Sequence, residues 1–136
     1  MRFLILLLFL PLKGITQLSF ETIKMSKSVE ETSGLEILGN YLITHNDSGD
    51  KPKLYIINQE GEKIMEIELN QLKNKDWEDI AADSENYYIA DTGNNYGTRE
   101  NLKIYILDKD FFLQGKISIR YQSQTTFSRE VKNKYD

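Results

Sequence analysis

Cysteine is absent from the 136-residue chain, and histidine and tryptophan occur only once each. Without a thiol there is no disulfide framework, no thiolate metal site and no cysteine nucleophile, so burial and hydrogen bonding must stabilise the fold. The formal net charge is −4, and no basic run interleaved with aromatic residues is present. Because such a chain is poorly suited to neutralising a phosphate backbone, nucleic acid is not expected as a partner.

Long apolar runs are also scarce, and the one at residues 3–12 follows a short basic start. At about ten residues it is too short to span a bilayer, which takes roughly 20. The small residues Gly14 and Thr16 come next, and this order is typical of a secretory signal peptide. The sequence therefore predicts a signal peptide at residues 1–16 and an exported mature chain, periplasmic or extracellular, with no stable membrane span after cleavage.

Short runs rich in isoleucine, leucine, tyrosine and phenylalanine recur through the rest of the chain, each bounded by glycine, asparagine, aspartate or serine. Such runs favour β-strands joined by tight antiparallel turns. Seven are found, at Leu35–Leu38, Tyr41–Thr44, Leu54–Asn58, Ile64–Leu69, Tyr87–Ala90, Leu102–Leu107 and Ile117–Tyr121. No long stretch keeps a helical apolar period, and residues 70–75 are predicted to form a loop or a single turn. The pattern predicts an all-β fold.

Two groups of these runs resemble each other. The tripeptide Asp-Ser-Gly at 47–49 follows one strand, and Asp-Thr-Gly at 91–93 follows another. Further on, the segment that begins at Lys53 matches the one that begins at Lys103. A repeat of about 45 residues with four strands per copy is typical of β-propeller blades, which stack because a single blade leaves its apolar faces open.

The predicted architecture is a partial β-propeller of about two four-stranded antiparallel blades, a fragment of a longer propeller. The expected divisions are a signal peptide at 1–16, a lead-in at 17–29, a first blade at 30–75, and a second blade with the start of the next at 76–136. The alternative is a self-contained eight-stranded β-sandwich, although a sandwich gives no reason for the repeated Asp-Ser/Thr-Gly. Since propellers have typically four to eight blades, two alone leave open faces, and an unstable, aggregating fragment is a further alternative.

Four segments, 31–36, 44–49, 76–81 and 89–95, resemble a group of exported bacterial β-propeller proteins, and Asp-Trp-Glu-Asp in the third is the most specific of them. The chain is also loosely similar to the six-bladed propellers of the gluconolactonase and regucalcin type. The resemblance covers about residues 30–136, nearly the whole mature chain. In the exported group the next blade opens with an Asp-Ala-Glu-Ala-like stretch, so the resemblance implies that Asp136 begins a third blade.

The gluconolactonase-type resemblance also implies a metal site. In those propellers an acidic residue at the start of an innermost strand helps to hold a divalent metal on the central axis, and by position Glu78, with Asp79, matches it. The corresponding place in the first repeat is Ser33-Gly34, which offers no carboxylate.

Asp76, Glu78, Asp79 and Asp83 crowd around Trp77, and such a density of carboxylates is unfavourable unless a cation or hydrogen-bond donors relieve the repulsion. The sequence favours a structural interpretation, in which acidic side chains at turns cap backbone amides. The alternative is a bound cation: hard oxygen ligands favour calcium or magnesium, so calcium is the candidate cofactor, with Glu78, Asp79 and Asp91 as candidate ligands. For the Asp-Ser/Thr-Gly turns, aspartate is expected to accept backbone N–H bonds and glycine to adopt a positive φ.

Candidate ligand-binding residues are His45 and Asp47 after the second run, and Tyr96 and Arg99 in the longest loop. His45 would have to serve any histidine-based acid–base step, but neighbours on a strand point to opposite faces, which argues against a Ser-His pair. A hydrogen-bonded residue at a strand end is the alternative for His45. For Arg99 the alternative is an ion pair with Asp91. No catalytic residue is assigned.

The sequence favours an exported propeller module that binds a ligand or a protein partner through loops at one end of its axis. The alternative function is a metal-dependent hydrolase of lactones or phosphoesters that uses Glu78 on the axis. Whether the protein is an enzyme stays open at this point.

Overall fold

The structure is a computed structural model that describes residues 20–129; the predicted signal peptide and Asp136 lie outside this range. Its eight strands are β1 (Thr32–Leu38), β2 (Tyr41–Asn46), β3 (Lys53–Ile57), β4 (Lys63–Glu68), β5 (Trp77–Ala82), β6 (Asn86–Asp91), β7 (Lys103–Asp108) and β8 (Leu113–Ser118). One 3₁₀ turn, Lys27–Val29, precedes β1. Within residues 20–129 there is no helix of the length and apolarity that crossing a membrane requires. The predicted all-β fold is confirmed.

The strands form two four-stranded antiparallel sheets, in which each strand is hydrogen-bonded to the next one along the chain. Sheet 1 has the order β1-β2-β3-β4, and sheet 2 has the order β5-β6-β7-β8. Tight turns make this possible: Gly39 between β1 and β2 has a φ of 60°, and Gly61 between β3 and β4 has a φ of 81°. Glycine adopts this left-handed conformation without a steric penalty.

Equivalent strands of the two sheets pair in the same register. In sheet 1 the β1–β2 pairing is irregular between Thr32 and Gly34, and in sheet 2 the β5–β6 pairing is irregular between Trp77 and Asp79. Asp79 therefore corresponds to Gly34. The pairing of the third and fourth strands is irregular at matching places as well, so sheet 2 repeats sheet 1 strand by strand.

The tripeptides that indicated the repeat are one residue out of step with this register. Asp91 pairs with Trp77, as Asn46 pairs with Thr32, so the counterpart of Asp91 is Asn46 and not Asp47. By contrast, the match of Lys53 with Lys103 is confirmed, because each begins the third strand of its sheet.

The predicted strand at Ile117–Tyr121 is displaced, since β8 begins at Leu113. A tight turn brings the chain straight back into the sheet: the carboxylate of Asp108 accepts the N–H groups of Asp110 and Phe112 at 3.0 and 2.9 Å. Such side-chain-to-backbone bonds stabilise short turns and leave more residues for the strand.

The core lies between facing surfaces of the two sheets, which meet along β1 and β5. Its buried members are Ile43, Leu54, Leu69, Leu72, Trp77, Ile80, Tyr87, Ile89, Tyr105 and Leu107. Trp77, the first residue of β5, is fully buried, and its indole Nε1 donates to the carbonyl of Lys73 at 3.2 Å. Burying an aromatic side chain and satisfying its polar atom make it a strong anchor.

The closest approach of the sheets is at Gly34. A Cβ there would lie 2.7 Å from the backbone nitrogen of Ile80 and 2.8 Å from Nε2 of His45, so only glycine fits. Ser33 Oγ donates to the carbonyl of Trp77 at 2.6 Å, and the carboxylate of Glu36 accepts the N–H of Ala82 at 2.9 Å. These bonds join β1 directly to β5.

The segment before β1 crosses the other face of sheet 1. The N–H of Ser26 donates to the carbonyl of Gly61 at 3.0 Å, and Val29 is buried. Tyr55 and Ile57 alternate with the core residues of β3, and both are buried. This part of the outer surface of sheet 1 is therefore covered.

Candidate functional site

The end of β2 and the start of β5 are held together by the loop that precedes β5. The amide of Asn74 donates to the carbonyls of Asn46 and Asp47, at 3.2 and 2.8 Å. The Oδ1 atom of Asn74 accepts the N–H of Trp77 at 3.3 Å. One side chain thus fixes loops of both sheets at the same end of the molecule.

Three carboxylates meet at this end: Asp47, Asp76 and Glu78. One oxygen of each lies within 4.8 Å of the others, and all three residues are half-buried. Asp76 and Glu78 stand two positions apart, and side chains at this spacing share a side of an extended chain. We call these three residues the acidic triad. Asp47 directly follows β2 of sheet 1, whereas Asp76 and Glu78 lie at the start of β5 of sheet 2, so the acidic triad spans the junction of the two sheets.

Gly93 lies against the acidic triad. Its N–H donates to the carbonyl of Asp76 at 3.1 Å, which holds the loop after β6 beside the start of β5. A Cβ at Gly93 would overlap Oε1 of Glu78 and the carboxylate of Asp76. The predicted positive φ is found at Gly49, at 92°, but not at Gly93. Glycine is therefore needed at position 93 because a side chain would clash with the carboxylates, and not because of its backbone conformation.

Asp91 is fully buried, and its carboxylate is bonded to neighbouring groups of the fold. Its carboxylate pairs with the guanidinium of Arg99 at 2.7 Å and lies 3.7 Å from Nζ of Lys103. It also accepts the N–H of Asp76 at 3.2 Å, and Arg99 donates to the carbonyl of Gly93 at 2.6 Å. Asp91 and Arg99 therefore brace the backbone around the acidic triad, as the ion-pair alternative predicted.

The long loop after β6 has its own buried polar support. Arg99 N–H donates to Oδ1 of Asn94 at 2.8 Å, and Gln124 Nε2 donates to the carbonyl of Gly97 at 2.7 Å. Asn94 and Gln124 are bonded to each other at 3.3 Å and are both buried. Buried and satisfied polar groups of this kind hold a loop in one conformation.

An open cleft of about 540 Å³ lies beside the acidic triad, and Asp76 belongs to both. The other lining residues are mostly polar: Ser48, Lys75, Asn94, Asn95, Tyr96, Thr98 and Arg99. The ring of Tyr96 is half exposed at this surface. The cleft therefore offers amide and hydroxyl groups, positive charge and one aromatic face next to three carboxylates.

His45 lies away from the cleft. It is fully buried at the sheet junction, where its ring packs edge-on against Trp77 at 5.5 Å. Its Nδ1 atom is 3.3 Å from Ser33 Oγ and 3.2 Å from the carbonyl of Asn46. Burial lowers the pKa of His45 below its ordinary value of 6.5, so the ring is neutral at pH 7.

Of the metal ligands expected from the sequence, only Glu78 lies in the acidic triad. Asp79 is exposed and its carboxylate accepts the N–H of Ile80 at 2.8 Å, while Asp91 is bonded to Arg99. The structure instead adds Asp47, which was expected to bind ligand. Tyr96 and Arg99, the candidate ligand-binding residues of the long loop, line the cleft.

The metal ligands chosen from the sequence leave out Asp76, and Asn74 and Gly93 were not chosen as site residues. Asp76 was recognised as one of the carboxylates around Trp77 but not as a ligand, although it stands two positions before Glu78. Asn74 and Gly93 carry no such signal, because their importance comes from atoms of the other sheet or of a distant loop.

The donors of the acidic triad suit a hard cation. Calcium and magnesium prefer carboxylate oxygens, and the acidic triad contains no thiolate or imidazole. The metal implied by the resemblance therefore fits Asp47, Asp76 and Glu78 better than the ligand set expected from the sequence.

Comparison with protein-family models, with curated proteins and with solved structures gives no match.

Proposed function

We propose that the two sheets are adjacent blades of a β-propeller and that the protein is an exported binding module. Its ligand occupies the cleft beside the acidic triad, and a divalent cation of the calcium or magnesium type helps to hold it. The shared register of the sheets, their contact along β1 and β5, and the gathering of loops at one end support this proposal.

The acidic triad carries the proposal. Three carboxylates within 4.8 Å of one another repel unless positive charge or donors compensate, and a bound cation would do so. Asp47 comes from one sheet, and Asp76 and Glu78 come from the other, so the cation would also fasten the two blades together. Gly93 keeps the space between the carboxylates open.

The cleft indicates the class of ligand. The amide of Asn95, the ring of Tyr96 and the ammonium group of Lys75 suit a small polar molecule with hydroxyl or carboxylate groups. Arg99 contributes mainly by holding the long loop in place, because its guanidinium is already bonded to Asp91 and Gly93.

A metal-dependent hydrolase of lactones or phosphoesters is the second candidate, favoured by the position of the acidic triad at an open cleft. When bound, the cation would supply Lewis-acid chemistry. His45 is buried away from the cleft, so a carboxylate would have to act as the base.

Calcium titration followed by thermal unfolding tests the cation. Ligand that binds only the folded state stabilises it, by about 2.7 kcal/mol at 100 times its Kd. We expect calcium to raise the Tm of the wild-type chain and a chelator to reverse the rise. Glu78→Gln should abolish this response.

Asp79→Asn is the matched control, because it removes the neighbouring carboxylate, which lies outside the acidic triad. An unchanged Tm in the wild type, or an equal loss in both variants, would contradict a cation at the acidic triad. Calcium-dependent ester or lactone hydrolysis that Glu78→Gln alone removes would favour the hydrolase.

A further inference from the structure

The surface of sheet 2 that faces away from sheet 1 is mainly apolar. Its apolar residues lie opposite one another across β5 to β8, as Ala81 with Tyr88 and Ile106, and Ala90 with Ile104 and Ile117, and the exposed Asp79 lies beside Ala90 at the β5 edge. All are exposed or partly exposed, and Ile117 retains 48% of its accessible surface. We call this surface the outer face of sheet 2.

The repeat shows what kind of surface this is. By register, Tyr88 corresponds to Ile43 and Ile104 corresponds to Leu54. In sheet 1 both counterparts are completely buried against sheet 2. The outer face of sheet 2 is therefore a second copy of a surface that already packs against a sheet within this chain.

The complementary surface is present as well. In the internal contact the partner face of sheet 2 carries Ile80 and Ala82 on β5, and their counterparts in sheet 1 are Leu35 and Ile37. Leu35 is 54% exposed and Ile37 is 68% exposed.

We propose that the outer face of sheet 2 binds the outer surface of sheet 1 of a second copy of this chain, centred on Leu35 and Ile37. The contact would repeat the part of the internal packing that involves the first strand of the partner sheet. Because the two surfaces differ, the association is head-to-tail and each bound copy still offers one free surface. The segment before β1 covers Tyr55 and Ile57, so the contact uses the β1 half of sheet 1.

Sedimentation velocity over a dilution series tests this inference. The wild-type chain should associate as its concentration rises. Ile117→Lys and Ile37→Lys each place a charge in the contact while replacing a side chain that is already exposed, so the fold should survive. Each should weaken association by about tenfold or more, since burying an unpaired charge is strongly unfavourable.

Phe112→Lys is the control, because Phe112 is exposed in the β7–β8 turn, outside both surfaces. It should associate as the wild type does. Any association driven by the apolar N-terminal run would be equal in all variants, so only a specific loss at Ile117 and Ile37 supports the inference.

Mixing the two variants gives the sharpest result. Ile117→Lys keeps the sheet 1 surface and Ile37→Lys keeps the sheet 2 surface, so the mixture should form one-to-one dimers although neither variant associates alone. A monomeric wild type, or association that both substitutions leave unchanged, would overturn the inference. Calcium stabilisation of Ile117→Lys should persist, so failure here is separate from failure of the cation site.

Discussion

Sheet 1 and sheet 2 share a strand order and a pairing register but differ in the residues at the irregular position of their first strands. In sheet 1 these are Ser33, which bonds to the backbone of β5, and Gly34, which lets the sheets touch. In sheet 2 they are Glu78, which enters the acidic triad, and Asp79, which is exposed. One copy of the repeat joins the sheets, and the other carries charge to the candidate site.

The ends of the second strands show the same division. In sheet 1, Asn46 donates to Ser28 and to the carboxylate of Asp50, at 2.9 and 2.8 Å. Its counterpart Asp91 forms a buried ion pair with Arg99. A neutral amide suffices where the chain is fastened by neighbouring segments, whereas the long loop of sheet 2 is fixed by a charge pair.

The largest effect should come from Trp77→Ala. Its counterpart in sheet 1, Thr32, is exposed, whereas Trp77 is fully buried between the sheets. Removing a buried tryptophan should lower the free energy of unfolding by about 3 to 5 kcal/mol, measured by urea denaturation. Thr32→Ala is the control and should change it by about 1 kcal/mol at most, the cost of losing the hydrogen bond between the hydroxyls of Thr32 and Thr44. Similar losses in both would show that the sheets do not differ at this position.

Asp91→Asn gives sheet 2 the residue that sheet 1 has at Asn46. The change leaves the guanidinium of Arg99 without its buried counter-ion, and we expect a loss of about 3 kcal/mol in the free energy of unfolding. Asp79→Asn, at an exposed carboxylate, should be nearly neutral. If Asp91→Asn is equally mild in urea denaturation, the ion pair does not brace the loop.

Gly34→Ala tests the contact between the sheets. The added Cβ would meet backbone atoms of β5, which yield less easily than a side chain, so a loss of about 1 to 3 kcal/mol is expected. Gly115→Ala is the matched control, since a Cβ there meets no atom within 4 Å in the described part of the chain. Thermal unfolding of the two variants side by side gives the comparison, and equal stability would place the contact elsewhere.

The smallest effect concerns pH. Burial holds the pKa of His45 below 6.5, so the unfolded chain takes up a proton more readily than the folded chain. Stability is therefore complete above pH 6.5 and falls as the pH drops through 6.5 and towards the lowered value. Since His45 is the sole histidine, His45→Ala, which copies Ala90 of sheet 2, should flatten the dependence of unfolding free energy on pH between 5.5 and 7. An unchanged slope would contradict a buried, neutral ring.

Most strands could be predicted from the sequence because a short apolar run bounded by turn residues is compatible with few structures other than a β-strand. The runs at Tyr41–Thr44 and Tyr87–Ala90 lie inside β2 and β6. β5 was missing from these runs, because Trp-Glu-Asp-Ile-Ala-Ala mixes apolar and acidic residues. Its first residue is buried by sheet 1, which no local pattern reveals.

The site was predicted in part for the same reason. Glu78 and Asp47 were both singled out, yet for different roles, because nothing in the sequence brings positions so far apart together. Asp79 was preferred over Asp76 as a metal ligand because of the resemblance to the metal-binding position of gluconolactonase-type propellers. Asp79 is exposed and lies outside the acidic triad, beyond the irregular pairing of β5 with β6, and the loop held by Asn74 brings Asp76 beside Asp47.

By itself the sequence determined local matters: an all-β chain, the tight turns, the repeated strand pattern, and the lack of thiol chemistry. These follow from backbone preferences and side-chain types that act over a few residues. Only the tertiary structure decided that Asp47, Asp76 and Glu78 meet, that Asp91 is paired with Arg99, and that His45 is buried. The acidic triad and the burial of His45 depend on the contact between the two sheets along β1 and β5, and the ion pair depends on the loop after β6 folding back onto that strand.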